Sequence, residues 1–160
     1  MIITLIAGTD HLAICQGIDA EKPAVFFAGS TPCGGYVRQL LMIPANATCD
    51  KIKWNLALYQ SADPGLASKY KLSCTYGMQA NGSSGFTGGG QNLEMEGTWT
   101  IDRGTKSNPD AVVYRLNPGK NRPAIFLIKM DEAILHFLYR DTNLLIGNAG
   151  WGYALNRINN

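Results

Sequence analysis

Three stretches of this chain alternate apolar and polar residues with a period of two, and that pattern limits what the chain can fold into. Ile52, Trp54, Leu56 and Leu58 are interleaved with Lys53, Asn55, Ala57 and Tyr59. Tyr70, Leu72, Cys74 and Tyr76 are interleaved with Lys71, Ser73 and Thr75. Leu93, Met95, Gly97, Trp99 and Ile101 are interleaved with Glu94, Glu96, Thr98 and Thr100. Successive side chains of an extended strand point to opposite faces, so each stretch reads as a strand with one buried and one wet face. Val112–Asn117, Ala124–Met130, Ile134–Tyr139 and Gly152–Arg157 also read as strands, with Asp131 and Glu132 turning one into the next. Ala24–Ala28 supplies the first, for about eight in all. Only Tyr36–Ile43, YVRQLLMI, has the spacing of a short helix, and Pro44 ends it.

Strand after strand joined by polar turns predicts an all-β fold, an antiparallel meander closing into a barrel or a sandwich. One domain is expected over residues 24–157, behind an N-terminal lead of residues 1–23. Two breaks read as loops: Gly77–Asn92, rich in glycine, serine and asparagine and expected to be long and mobile, and the shorter Asp102–Asp110. A buried Trp99 would need a partner for its indole N–H, and barrels often place such a ring at the closed end of the core.

At 160 residues, 46% of them hydrophobic and 16% charged, the chain can bury a core of ordinary size. A formal net charge of +2 without a Lys/Arg run argues against nucleic acid as a partner, and against a membrane surface held by charge. No apolar run approaches the roughly eighteen residues of a transmembrane helix. The opening MIITLIAG looks like part of a signal segment but lacks a basic start, and Asp10 and His11 interrupt it. Leu12-Ala13-Ile14-Cys15 resembles a lipobox with Ile14 where a small residue is usual, so a lipid anchor at Cys15 is the one membrane attachment the sequence offers.

The four cysteines, Cys15, Cys33, Cys49 and Cys74, allow three complete pairings, and sequence does not choose among them. Cys33 and Cys49 bracket a compact segment whose closure would suit an oxidising compartment. Cys74 lies on the apolar face of its strand and reads as a buried, inert thiol. Asn46-Ala47-Thr48 and Asn81-Gly82-Ser83 have the form of glycosylation acceptors, which matter only in a secreted eukaryotic protein.

Candidate chemistry is sparse. GSSGFTGGG resembles a phosphate loop in composition, but a strand follows it where a helix is required and no lysine closes it. Of the two histidines, His11 lies in the N-terminal lead and His136 sits within a strand. No G-x-S-x-G motif occurs, and the carboxylates show no spaced pair. The expectation is a protein that is not an enzyme. The stretch TPCGGY, residues 31–36, has the backbone freedom of a metal-binding turn, and Cu(I) favours thiolates and thioethers. Cys33 is therefore the candidate metal ligand, with Met42, Met78 and Cys49 as further donors if the fold brings them near.

Phe27-Ala28-Gly29-Ser30-Thr31-Pro32-Cys33 resembles the aromatic-x-G-x-x-P-C opening of the N-terminal domain of NlpE-type copper-resistance lipoproteins. LALY (56–59), YKLSCTY (70–76), GTWTI (97–101), VVYRL (112–116) and the final Trp151-Gly152-Tyr153-Ala154-Leu155 follow in the family's order. The resemblance spans residues 24–157 and implies a small lipocalin-like antiparallel barrel in the bacterial cell envelope. The family's opening continues as C-x-x-C, proposed for copper, whereas this chain has Tyr36 at the second position and an inserted segment, Val37–Lys51, that carries Cys49. Copper thus remains a possible cofactor with an incomplete motif. The function implied is a binding or sensing module whose partner is an envelope protein or a small ligand. The alternative is a lipocalin-like carrier of a small apolar ligand, since an eight-stranded barrel can hold one. A carrier requires an apolar cavity open at one end, whereas a sensor or structural module requires a filled interior.

Overall fold

The computed structural model describes residues 25–63, 68–119 and 121–159. The expected N-terminal lead, and with it Cys15 and His11, lies outside the described residues. Eight strands run in chain order: β1 (Val25–Pro32), β2 (Lys51–Tyr59), β3 (Ser68–Gly77), β4 (Gln91–Arg103), β5 (Val112–Asn117), β6 (Ile125–Lys129), β7 (Ile134–Leu138) and β8 (Ala154–Ile158). Each pairs antiparallel with the next, and β8 returns to β1, so the sheet closes into a barrel. Among the described residues the single α-helix, α1 (Gly35–Leu41), follows β1. Of the barrel and the sandwich that the alternation allows, the barrel is the fold.

The register shows why period two decides the architecture. Phe27, Leu56, Leu72 and Met95 stand opposite one another across β1 to β4, all turned inward and buried. One step along, Ala28, Asn55, Ser73 and Glu94 form the matching outer row. A slip of one residue would exchange the two rows, exposing side chains whose burial is worth roughly 1.5–3 kcal/mol each. Trp54 is the largest of the inner residues; its ring packs on Phe137 at 4.7 Å and its indole N–H donates to Thr31 Oγ1 at 2.9 Å. In the middle of the barrel Trp54, Leu56, Leu116, Leu127, Phe137 and Leu155 leave no room for a water molecule.

Elements differ from the sequence reading mainly at their ends. β1 continues past Ala28 to Pro32, through a Gly-Ser-Thr stretch that looks like a turn in sequence. The glycine is needed for close approach: a Cβ on Gly29 would lie 2.4 Å from the Ala154 carbonyl oxygen of β8. The helix stops before Pro44 forces it to. Met42 takes a left-handed conformation (φ 56°, ψ 34°), and the amide N–H of Ile43 donates back to the Arg38 carbonyl at 2.9 Å. The Gly77–Asn92 stretch is more organised than its composition suggests. Gln79 and Phe86 form a β-bridge, a 3-10 turn covers Thr87–Gly89, and the Lys51 ammonium, buried between the Phe86 and Trp151 rings, donates to the Ser84 carbonyl at 2.9 Å.

Candidate functional site

The TPCGGY turn lies where β1 gives way to α1. Cys33 and Cys49 form a disulfide with a Cα–Cα distance of 5.8 Å, tying the helical segment to the start of β2. The pairing that sequence leaves open is thereby decided, and Cys74 remains a free thiol, buried on the inner face, with burial pushing its pKa up. Gly34 makes room for Tyr153: a Cβ there would lie 2.6 Å from the tyrosine hydroxyl. Tyr36, where a C-x-x-C pattern would have its second cysteine, packs its ring on Tyr139 with centroids 4.8 Å apart. Val37, Leu40 and Leu41, on one face of α1, join the barrel core. The Arg38 guanidinium donates to the carbonyls of Pro44, Ala45 and Ala47 at 2.8, 3.2 and 2.7 Å, binding the following loop to the helix. These contacts close this end of the barrel.

Of the donors expected to help Cys33 hold a metal, Cys49 is brought to it, but in a disulfide. A disulfide sulfur offers no thiolate, Cys49 is the partner in that bond, and Met42 and Met78 are 56% and 39% exposed. Among the described residues no group of three or more His, Cys, Asp or Glu side chains could hold a metal ion. The oxidised form therefore does not fit a Cu(I) site at Cys33. His136 faces outward, and its Nε2–H donates to the Leu145 carbonyl at 2.8 Å, fastening the β7–β8 connection. Among the described residues no helix is long and apolar enough to cross a membrane.

The opposite end, where β2, β4 and β6 finish and β1, β3, β5 and β7 begin, is built differently. It encloses a pocket of about 340 Å³. Its inner wall is apolar and aromatic: Val25 and Phe27 from β1, Leu58 from β2, Trp99 and Ile101 from β4, and Tyr114 from β5. The Trp99 and Tyr114 rings meet at 5.2 Å and 53°, and the Trp99 indole N–H donates to the Tyr59 carbonyl at 2.9 Å, which fixes the ring. Trp99 is thus half-buried in the mouth of the barrel, not at its closed end; the ring deep in the core is Trp54. The reason is register: Trp99 pairs with Leu116 and Ser68, near the edge of the sheet, whereas Trp54 pairs with Gly29 and Cys74.

The rim of the mouth is charged. Lys129 ends the inward row of β6 that begins with Ile125 and Leu127, and Arg157 ends the inward row of β8 after Leu155. The Lys129 ammonium is hydrogen-bonded to Glu132, which holds its pKa above the ordinary lysine value. Arg157 pairs across the sheet with Phe27, and its amide N–H donates to the Ala133 carbonyl at 2.7 Å, but its guanidinium makes no ion pair or hydrogen bond among the described residues. Sequence reasoning passes over Lys129 and Arg157 because each looks like one more surface cation. The available signal is position, since each is the terminal member of an alternating row that is otherwise buried.

A larger trough of about 660 Å³ runs over the outer face of β1 to β4, past Phe26, Asn55, Lys71 and Glu94. It is an open groove on one side of the sheet. The smaller mouth is the better candidate site because several strands converge on it and its apolar wall faces a polar rim, as ligand pockets are built. Comparison with protein families, with curated proteins and with solved structures finds no match for this chain.

Proposed function

We propose that this chain is a non-catalytic binding barrel of the bacterial cell envelope that takes a small ligand at its open mouth. The observation that carries the reading is the 340 Å³ apolar pocket at one end of a barrel that is filled through its middle and closed at the other end. Such a site suits a shallowly held ligand better than a carrier's cargo enclosed in the interior. The Cys33–Cys49 disulfide favours an oxidising compartment, and the resemblance of the motif order to that of envelope lipoproteins points the same way. The TPCGGY turn serves in this reading as part of the closure at the far end.

A titration of the ¹⁵N-labelled protein with 1-octanol, followed on the indole N–H signals, tests it. The Trp99 signal is expected to shift saturably while that of the buried Trp54 stays still. Ile101→Trp, which fills the mouth from an exposed position, is expected to abolish the shift without lowering the unfolding midpoint. No saturable shift of Trp99, or a shift that survives the filling substitution, overturns the reading.

A further inference from the structure

The mouth carries one positive charge more than its own carboxylate neutralises, and that charge stands over an aromatic wall. Lys129 and Arg157 face the pocket with Glu132. Lys129 and Glu132 are bonded to each other, so the Arg157 guanidinium is the charge left over among the described residues. An arginine ending an inward-facing row, directly opposite Phe27, is an unusual choice for a surface that only has to be wetted. Its donors form a planar fork that matches a carboxylate bidentately, and a charge-assisted pair of this kind is roughly twice as strong as a neutral one.

Building on the reading of the mouth as a ligand site, we infer that its ligand is an amphipathic monoanion: a single apolar chain or ring lying on Trp99, Tyr114 and Leu58, with a carboxylate at Arg157. Volume and charge fix the class. At roughly 30 Å³ per heavy atom, the share of a water molecule in the liquid, a pocket of about 340 Å³ holds about eleven non-hydrogen atoms. That is the size of a medium-chain carboxylate and too small for a two-chain lipid. Glu132 disfavours a doubly charged head such as a phosphate monoester, because the rim has one uncompensated cation and not two. A ligand cation would meet Arg157 as a like charge.

Octanoate, 1-octanol and octylammonium, which share a chain and differ in the head, separate the possibilities. Calorimetric titration is expected to give octanoate about fivefold or more tighter than 1-octanol, with octylammonium weakest. The octanoate advantage should shrink as salt is raised, because the charge lies at the rim. In Arg157→Gln, the ratio of octanoate to 1-octanol affinity should fall to about one. Arg157 is exposed at the end of β8, so this substitution leaves the core intact. If octanoate and 1-octanol bind alike to the unsubstituted protein, or if Arg157→Gln leaves their ratio unchanged, the charge assignment is overturned while the mouth remains a site. If none of the three binds, the reading of the mouth itself fails.

Discussion

At the helix end of the barrel Val37, Leu40 and Leu41 are buried to within 2% of full burial, a disulfide ties the chain, and one guanidinium binds three carbonyls. At the mouth Ile101 is 56% exposed, the aromatic rings are half-covered, and a guanidinium has no partner among the described residues. Both ends contain apolar side chains, aromatic rings and an arginine. The difference lies in completion: the buried face of α1, the disulfide and the Arg38 guanidinium of the first end have their partners within the chain, whereas the second has an apolar pocket and a guanidinium with no partner among the described residues. A barrel needs its middle filled to be stable, but it can leave one end open at little cost because the strands there already have their ladder hydrogen bonds. Stability is thus concentrated away from the end where binding is proposed.

The largest expected difference between the ends comes from truncation. Leu40→Ala should cost about 3 kcal/mol or more, as deletion from a packed core does, while Ile101→Ala at the mouth should cost about 0.5 kcal/mol or less. Denaturant unfolding of both variants measures the contrast, and similar losses would break it. Reduction of the disulfide, or Cys33→Ser together with Cys49→Ser, should cost about 3 kcal/mol in the chain-entropy model for a loop of this length. The response of the Trp99 indole to 1-octanol should survive reduction, because the filled middle of the barrel separates the two ends. If that response disappears, the ends are not independent.

Tyr70 sharpens the comparison from beside the mouth, where it stands opposite Leu58. Its side chain is buried, its hydroxyl has no hydrogen-bond partner among the described residues, and burial pushes its pKa up to about 12. The unfolded chain releases this proton near pH 10 and the folded chain only near 12, so between those values the unfolded state holds fewer protons and stability falls as pH rises. Tyr70→Phe should flatten that alkaline decline. At neutral pH it should raise stability by about 1 kcal/mol, since an unpaired buried hydroxyl is removed with little loss of volume. A loss of stability at pH 7 would show that the hydroxyl has a partner in solution. The smallest effect belongs to the helix end: Met42→Gly should gain about 0.5–1 kcal/mol by relieving the left-handed conformation, a change visible as a higher unfolding midpoint.

The strands were legible because their signal is local and repeated: Lys51–Tyr59 and Ser68–Gly77 each carry at least four apolar residues two apart, and nothing within them contradicts the pattern. The Gly29–Pro32 part of β1 was not legible, because Gly29 answers to a neighbour, the Ala154 carbonyl, distant in sequence. The candidate site was harder still. Attention goes to cysteines and glycines, whose chemistry is conspicuous, and TPCGGY drew it to the closed end. Lys129 and Arg157 are ordinary residues made unusual only by which way they face.

Alternation by itself determined that this chain forms antiparallel strands with one apolar face, because the alternative registers would put that face in water. The short helix was set locally as well, by the spacing of Val37, Leu40 and Leu41. That Cys33 bonds Cys49 while Cys74 stays a free thiol, which tryptophan occupies the core, and which end of the barrel stays open were decided only when the sheet closed. Each of these depends on distances between residues far apart in the chain. Such distances are set by the pairing of all eight strands together and by no single stretch of sequence.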